Sequence, residues 1–281
     1  MAAAGLTEYA VLGHPVSHSL SPRLHRAFAD QTGQDLNYLA IDLPPERFDD
    51  FWQSKVGLNL AGANITLPLK QQACDLAAWL SERARRAGAV NTLKRQADGS
   101  LYGDNTDGVG LVADLLEKLS NRADQGLAGA RLLLLGAGGA ARGVLGPLLG
   151  QQPTELLIAN RTADRALQLA EQFADLGPVG AIELAELDDA GSFDGIINAS
   201  AAGHSGAAVN LSVTLLEPSS WCYDLSYSGA AKPFLDQAQA AGCHNCWDGL
   251  GMLVEQAAAS FELWRGLRPD TASLKHQLAD W

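Results

Sequence analysis

Leu132–Gly143 reads LLLLGAGGAARG, four leucines running directly into a glycine-rich turn. No other segment restricts the possible folds as much. The apolar run is a strand, and the residues after the turn open a helix. Gly136 and Gly138 fill the first two positions of the G-x-G-x-x-G/A fingerprint, and Ala141 fills the third. Such glycines let the chain turn tightly and approach a pyrophosphate, whose charge then faces a helix N-terminus. A glycine pattern alone is a weak signal. The strand before it and the helix after it point to a dinucleotide site. The window Leu132–Gly150 is also the most membrane-like in the chain, but Arg142, Pro147 and six glycines argue against a spanning helix.

The next strand bears on which nucleotide. NAD-binding versions place an Asp or Glu about 20 residues on, where it accepts from the ribose 2′-hydroxyl. Here ELLIAN ends in Asn160 and is followed by RTADR. A carboxylate at that point would repel a 2′-phosphate, whereas Arg161 and Arg165 can pair with one, helped by the Thr162 hydroxyl. The plain alternative is a solvated helix start with two surface arginines. NADP is the expected cofactor.

The length of 281 residues suits two modest domains or one large α/β unit, and 47% hydrophobic residues suffice for proper cores. A formal charge of −12 argues against nucleic acid, so an anionic ligand must rely on a few local cations and backbone amides. Four cysteines in a chain this long read as reduced cytosolic thiols. MAAAGLTEYAVLG has no basic start and no apolar core of signal-peptide length. The expectation is a soluble, cytoplasmic protein without membrane or nucleic-acid partners.

Strands and helices alternate along the chain, which implies α/β architecture with largely parallel sheets. EYAVLG, NYLAIDL and LAGANIT read as strands. SPRLHRAFADQTG reads as a helix with Ser21 as N-cap, Pro22 at the first helical position and Gly33 as its stop. PPERFDDFWQSKVG and KQQACDLAAWLSERARRAG each read as one helix, and AVNTLKRQ and LYGDN flank the turn ADGS as a hairpin. A helix begins at Asp107, and the polar stretch NRADQGLAG is the best boundary. A second series then runs from ARLLLLG through ELLIAN, GAIEL, DGIINAS and WCYDLS. GLGMLVEQAAASFELW is a long amphipathic helix, with a short one after Pro269.

Polar residues cluster where the first-half strands end. GHPVSHSLSP carries Ser19 and Ser21, GANITLPLK carries Asn64, Thr66 and Lys70, AVNT carries Asn91, and GDNTDG carries Asp107. Ligands of open α/β sheets bind outside the carboxyl ends of the strands, so these residues can share one rim. They suit a small polyhydroxylated ligand, with Lys70 as a cation for its carboxylate or an acid for its oxygen. A calcium reading of GDNTDG fails on counting. With Gly108 as the loop glycine, Gly103 would stand where an Asp ligand is required and Asp114 would replace the bidentate Glu. Asp107 as a simple N-cap remains the structural alternative.

AVLGHPVSHSLSPRLHRAF, GANITLPLK, RAGAVNTL, GDNTDGVG, LLGAGGAARGVL, IANRT, INAS, YDLSY and DGLGMLVEQAA stand in the order and spacing of the shikimate dehydrogenase family. The chain resembles that family from about Tyr9 to beyond Arg265. The resemblance implies an NADP-dependent reductase that converts 3-dehydroshikimate to shikimate in aromatic amino-acid biosynthesis. It implies two α/β domains with a cleft between them. Residues 1–107, completed by helices in 250–281, would form the substrate-binding catalytic domain. Residues 108–249 would form a connecting helix and a Rossmann-type NADP domain. Lys70 looks like the catalytic lysine and Asp107 like its partner, orienting Lys70 and a substrate hydroxyl. Ser19, Ser21, Thr66, Asn91, Asp107, Tyr227 and Gln256 resemble substrate contacts. Gly136, Ala137, Gly138, Gly139, Ala140, Asn160, Arg161, Thr162, Arg165, Leu225 and Gly249 resemble cofactor contacts, with Glu82 a further candidate. No metal is implied, and monomer and homodimer both stay open.

The chain departs from the family pattern in places. His14 stands where Asn is frequent, Lys232 where Thr is usual, and SAAGHSG replaces a stretch richer in Ser and Thr. The spacing of His14, His18 and His25 brings no acidic or Cys ligand with it, and CHNC at Cys243–Cys246 lacks a second pair and reads as strand packing. Two rival readings are a quinate/shikimate dehydrogenase paralogue using NAD and a non-catalytic NADP sensor. Arg161 with Arg165, and serines at 19 and 21, lean away from the first. Lys70 with Asp107 leans away from the second.

Overall fold

The computed structural model describes residues 6–120, 126–200 and 211–278. Most of SAAGHSG and part of NRADQGLAG therefore lie outside the described residues. The chain divides into two compact units, Met1–Gly110 with Val254–Trp281, and Leu111–Leu253.

The first unit is built on a six-stranded sheet. Its strands are β1 (Thr7–Gly13), β2 (Leu36–Asp42), β3 (Leu60–Ile65), β4 (Trp79–Leu80), β5 (Thr92–Arg95) and β6 (Leu101–Asp104), in the order β2-β1-β3-β5-β6-β4. β1 pairs in parallel with β2 and β3, and β4 pairs in parallel with β6. The expected hairpin over ADGS is present, with Gly99 at φ +85° and the Asp98 carboxylate accepting from Ser100 N–H. It makes β5 antiparallel to both β3 and β6, so this sheet is mixed.

Helix α1 (Ser21–Thr32) ends at Gly33, φ +64°, as expected, but Ser21 is its first residue and not its cap. Ser19 does part of that work, its Oγ accepting from Ser21 N–H at 3.2 Å. Two expected single helices are broken. After a 3₁₀ turn at Pro45–Arg47, α2 (Phe48–Gln53) stops at Ser54. Ser54 is extended, and its Oγ accepts from Gly57 N–H to start α3 (Lys55–Asn59). The segment 70–88 splits into α4 (Lys70–Leu76), β4 and α5 (Glu82–Ala87), the last capped by Ser81. Helical periodicity misses both breaks because serine side chains compete for backbone groups. In the second case Ala78 and Ser81 N–H also donate to Leu101 and Gly103 carbonyls.

One face of this sheet is packed by Leu12, Phe48, Trp52, Leu60, Ile65 and Leu93. The other receives α10 (Leu250–Arg265), whose Trp264 stacks on Tyr9 at 4.6 Å and donates Nε1–H to Leu93 O. Gly62 makes that fit possible, since a Cβ there would lie 2.5 Å from Trp264 Nε1.

Two carboxylates hold flanking segments. Asp104 is 2% exposed and accepts from Arg83 Nε and Nη2 at 2.8 and 2.5 Å, from Ser81 Oγ and from Asn105 N–H. Glu255 of α10 accepts from Arg268, Lys275 and Thr271, which ties α11 (Ala272–Leu278) to α10. Burial pushes the Glu255 carboxyl up, but hydrogen bonds from Lys275 and Thr271 and the charges of Lys275 and Arg268 hold it below the usual value.

The second unit carries an all-parallel sheet of β7 (Arg131–Leu135), β8 (Glu155–Asn160), β9 (Val179–Glu183), β10 (Phe193–Asn198), β11 (Leu216–Asp224) and β12 (Asn245–Trp247). Its order, β12-β11-β10-β7-β8-β9, is the doubly wound arrangement of dinucleotide-binding folds. α7 (Gly139–Leu149), α8 (Ala163–Phe173) and α9 (Lys232–Ala240) follow β7, β8 and β11. The four leucines are shared between two cores: Leu132 and Leu134 pack with Val144, Leu145 and Phe173, Leu133 and Leu135 with Phe193, Ile196 and Phe234. α6 (Asp107–Leu119) adds Leu111 and Leu115 to the first core.

Asp104→Ala should lower unfolding free energy by roughly 1.5–3 kcal/mol, the range for hydrogen bonds to a charged group. Exposed Asp98→Ala should change it little, and urea unfolding compares the two. Because the folded Glu255 value is depressed, its contribution is present above the ordinary glutamate pKa of about 4.3 and is lost as pH falls through the lower folded value. The melting-temperature gap between the native protein and Glu255→Gln should therefore be full at pH 6 and shrink on acidification.

Candidate active site

Asp107 is the first residue of α6, and its N–H donates to Asn105 Oδ1 at 3.1 Å. The Asp107 carboxylate is left to face other partners. Its Oδ2 meets Lys70 Nζ at 2.5 Å, and its Oδ1 accepts from Asn91 Nδ2 at 2.8 Å. Lys70 lies a few residues beyond the end of β3, as the first residue of α4. The pair is partly buried, with side chains 19% and 10% exposed, so solvent still reaches the lysine.

Asn91 connects these groups to the rest of the unit. Its Nδ2 also donates to Thr106 Oγ1 at 2.9 Å and reaches Gln256 Oε1 at 3.4 Å. Its Oδ1 accepts from Thr106 N–H and Thr92 Oγ1, both at 2.8 Å. Lys70, Asn91, Asp107 and Gln256 are thus joined in one hydrogen-bonded group, drawn from β3–α4, the start of β5, α6 and α10.

Asn64 does not belong to the rim. It is 6% exposed and accepts from Tyr38 O–H at 2.7 Å while contacting His25 Nε2. Its amide lies within hydrogen-bonding distance of Asn91 O, Thr92 Oγ1 and Ser260 Oγ. Ser260 in turn contacts Thr92 and Thr106 and donates to Gln256 O. His25 is wholly buried and stacked on Tyr38 at 4.2 Å, and desolvation pushes its pKa down to about 3 against its hydrogen bond to Asn64 Oδ1. It is a neutral core imidazole, outside any cluster with His14 and His18. Thr92, Thr106 and Tyr38 carried no functional signal in the sequence. Ser260 alone had one, lying a helical turn beyond Gln256.

The remaining candidates of this unit are Ser19, Ser21, Thr66 and Glu82. The Ser21 side chain interacts with Tyr38, whose pKa is raised chiefly by burial. Ser19 is half-buried beside it in sequence. Thr66 is half-buried, its N–H donates to Leu12 O, and its methyl fills the space a Gly13 Cβ would need. Glu82 is exposed and pairs with Arg85 and Arg86 of its own helix.

In the second unit, Gly136 takes φ +108°, and a Cβ there would crowd the Ala199–Ser200 backbone at 3.1 Å. Cβ atoms added at Gly138 and Gly139 would meet nothing within 4 Å, so the turn presents bare backbone to open space. Ala137 is buried and Ala140 exposed in the same turn. A cavity of about 390 Å³ adjoins it, lined by Ala137, Gly138, Arg142, Arg165, Gln168 and Gln172 among others. Arg165 was expected near a cofactor phosphate, but Arg142 was not. Asn160 Nδ2 donates to Thr162 O, and Arg161 and Thr162 are exposed. Leu225 N–H donates to Asn198 O at the end of β10, and Gly249 N–H to Ser226 O. Any Cβ at Gly249 would lie 2.3 Å from Leu225 O. Tyr227 is half-buried, and burial raises its phenol pKa.

A lysine held by a carboxylate beside amide and hydroxyl groups can move a proton at an oxygen of a polar ligand. The glycine turn at the start of α7, with two arginines on its cavity, fits a phosphorylated dinucleotide.

Comparison with known proteins agrees with this chemistry. Residues 11–93 match the shikimate dehydrogenase substrate binding domain, residues 118–209 the shikimate/quinate 5-dehydrogenase model, and residues 249–278 the shikimate 5'-dehydrogenase C-terminal domain. The shikimate dehydrogenase (NADP(+)) of Methylococcus capsulatus is 51% identical over 94% of this chain and 92% of its own. That of Dechloromonas aromatica is 49% identical over 96% of both. The structure of shikimate 5-dehydrogenase from Thermus thermophilus in complex with NADP(H) and shikimate superposes with a TM-score of 0.78. It is 34% identical and covers 98% of this chain and 99% of its own. No helix among the described residues is long and apolar enough to cross a membrane. The chain belongs to the shikimate dehydrogenase family.

Proposed function

We propose that Lys70 and Asp107 are the acid–base pair of an NADP-dependent shikimate dehydrogenase that reversibly reduces 3-dehydroshikimate to shikimate. The observation that carries this reading is the contact of Lys70 Nζ with Asp107 Oδ2, held from behind by Asn91. Bound NADPH supplies the hydride. As the carbonyl carbon is reduced, its oxygen gains charge and takes a proton from Lys70 Nζ. Asp107 keeps the ammonium aimed at that oxygen, and its carboxylate accepts from a neighbouring ring hydroxyl. In the reverse direction Lys70 takes the hydroxyl proton. Asn91 and Gln256 present amides to the remaining hydroxyls, while Ser19 and Ser21 serve the substrate carboxylate.

Arg161, Thr162 and Arg165 would recognise the 2′-phosphate, and Arg142, which lines the same cavity as Arg165, would add a fourth group to that subsite. Gly136–Ala140 would hold the pyrophosphate, and Leu225 and Gly249 would contact the nicotinamide half. The absence of an acidic residue at the end of β8 favours NADP over NAD.

Lys70→Ala should lower kcat by roughly 10²–10⁴-fold, the usual worth of general acid–base catalysis, while shikimate binding by calorimetry changes little. Weakened binding with kcat intact would make Lys70 a substrate anchor and sink the relay. Arg165→Ala should raise KM for NADPH roughly 10-fold or more and leave KM for NADH nearly unchanged, as loss of a charged hydrogen bond predicts. Nicotinamide absorbance with shikimate or quinate and either cofactor decides the substrate. Fast turnover is expected only with shikimate and NADP, and a preference for quinate with NAD would overturn that pairing.

A further inference from the structure

Three of the four cysteines meet on one edge of the second unit's sheet. Cys222 on β11 is the register partner of Cys246 on β12. Cys243 sits in the turn before β12, and its thiol donates to Ser220 O at 3.4 Å, two residues from Cys222 along β11. Cys246 reaches back to Cys243 O, also at 3.4 Å. All three side chains pack into one apolar core. Cys222 and Cys243 are buried and Cys246 is half-buried, while Cys74 belongs to the other unit and all four thiols are free.

Packing alone explains one small apolar side chain at each position, but not why three sulfurs converge. Among the described residues no group of three or more His, Cys, Asp or Glu is disposed to hold a metal ion. What remains is thiol chemistry. Partners across a parallel ladder lie about 4.8 Å apart, within the Cα range of about 4.4–6.8 Å that a disulfide spans.

We propose that Cys222, Cys243 and Cys246 form a hydroperoxide-oxidisable thiol triad that closes one intrachain disulfide between two of its members. One of the three, as its thiolate, is the first nucleophile. Its sulfur attacks the peroxide O–O bond and keeps one oxygen as a sulfenic acid. The other oxygen leaves as hydroxide and becomes water with the proton the thiol lost. A neighbouring thiol then attacks the sulfenic sulfur, forming the S–S bond and releasing the second oxygen as water. Two thiols lose two electrons in total, and one hydrogen peroxide is reduced to two waters. The third thiol stays next to the bridge and can exchange into it.

The test treats the full-length, pre-reduced protein with a few equivalents of hydrogen peroxide, then alkylates the remaining thiols with a maleimide in denaturant. The expected result is a loss of two hydrogens in mass, two alkylatable thiols remaining, and a bridge mapped within Cys222, Cys243 and Cys246. Cys74 should be fully alkylated, and dithiothreitol should restore all four thiols. Cys246→Ser should still close a Cys222–Cys243 bridge, whereas Cys243→Ser with Cys246→Ser should close none. The proposal is overturned if all four thiols survive, if oxidation is confined to Cys74, or if sulfinic and sulfonic acids accumulate without a bridge. Mapping the native chain decides the matter even where a serine variant folds poorly.

Discussion

The Asn91 side chain donates to Asp107 Oδ1 and Thr106 Oγ1 and accepts from Thr106 N–H, so the start of β5 and the first turn of α6 are held as one body. Asp107 then has one oxygen committed to the scaffold and one directed at Lys70. Behind Asn91, the Asn64 side chain joins Tyr38, Thr92 and Ser260 in the same network. Buried polar groups are costly when unpaired and rigidifying when satisfied. This network brings strand, loop and helix together at one point, and a proton relay tolerates little error in position.

The second unit meets a different requirement. It must present bare backbone to a dianionic group in a chain of net charge −12. The doubly wound order places the Gly136–Gly139 turn at the end of the central strand β7, where both faces are sealed by the split leucines. Two cations, Arg142 and Arg165, line one cavity beside that turn. Local arrangement outweighs net charge here, because exposed charges farther away than about 10 Å are largely screened at ordinary ionic strength.

Much of this was legible in the residues. The glycine turn, the missing acid after ELLIAN and the shared motifs pointed to the family and its cofactor, and most strands were found, although β4 was read as part of a helix and β11 begins at Leu216, ahead of WCYDLS. Helix continuity was harder to read. Ser54 and Ser81 broke helices that periodicity joined, because their hydroxyls accept backbone hydrogens and nucleate new helix starts. Asn64 was read as a rim residue because it shares a segment with Thr66 and Lys70, yet it lies inside β3 and its side chain is buried among Tyr38, Thr92 and Ser260. GDNTDG holds two carboxylates of similar appearance. Asp104 faces Arg83 and Ser81 and secures α5, while Asp107 faces Lys70.

The sequence by itself determined the fold class, the dinucleotide turn, the family and the residue types available for proton transfer, because each of these lies in short, contiguous patterns. Only the tertiary structure decided which of those residues touch. Asn64 and Ser260 are 196 residues apart and bonded, Asn91 and Gln256 are 165 apart and adjacent, and Cys222 meets a CxxC pair that looked solitary along the chain. Hydrogen bonds and thiol contacts act over a few ångströms in space, and no local pattern records which distant segments the packed sheets bring within that reach.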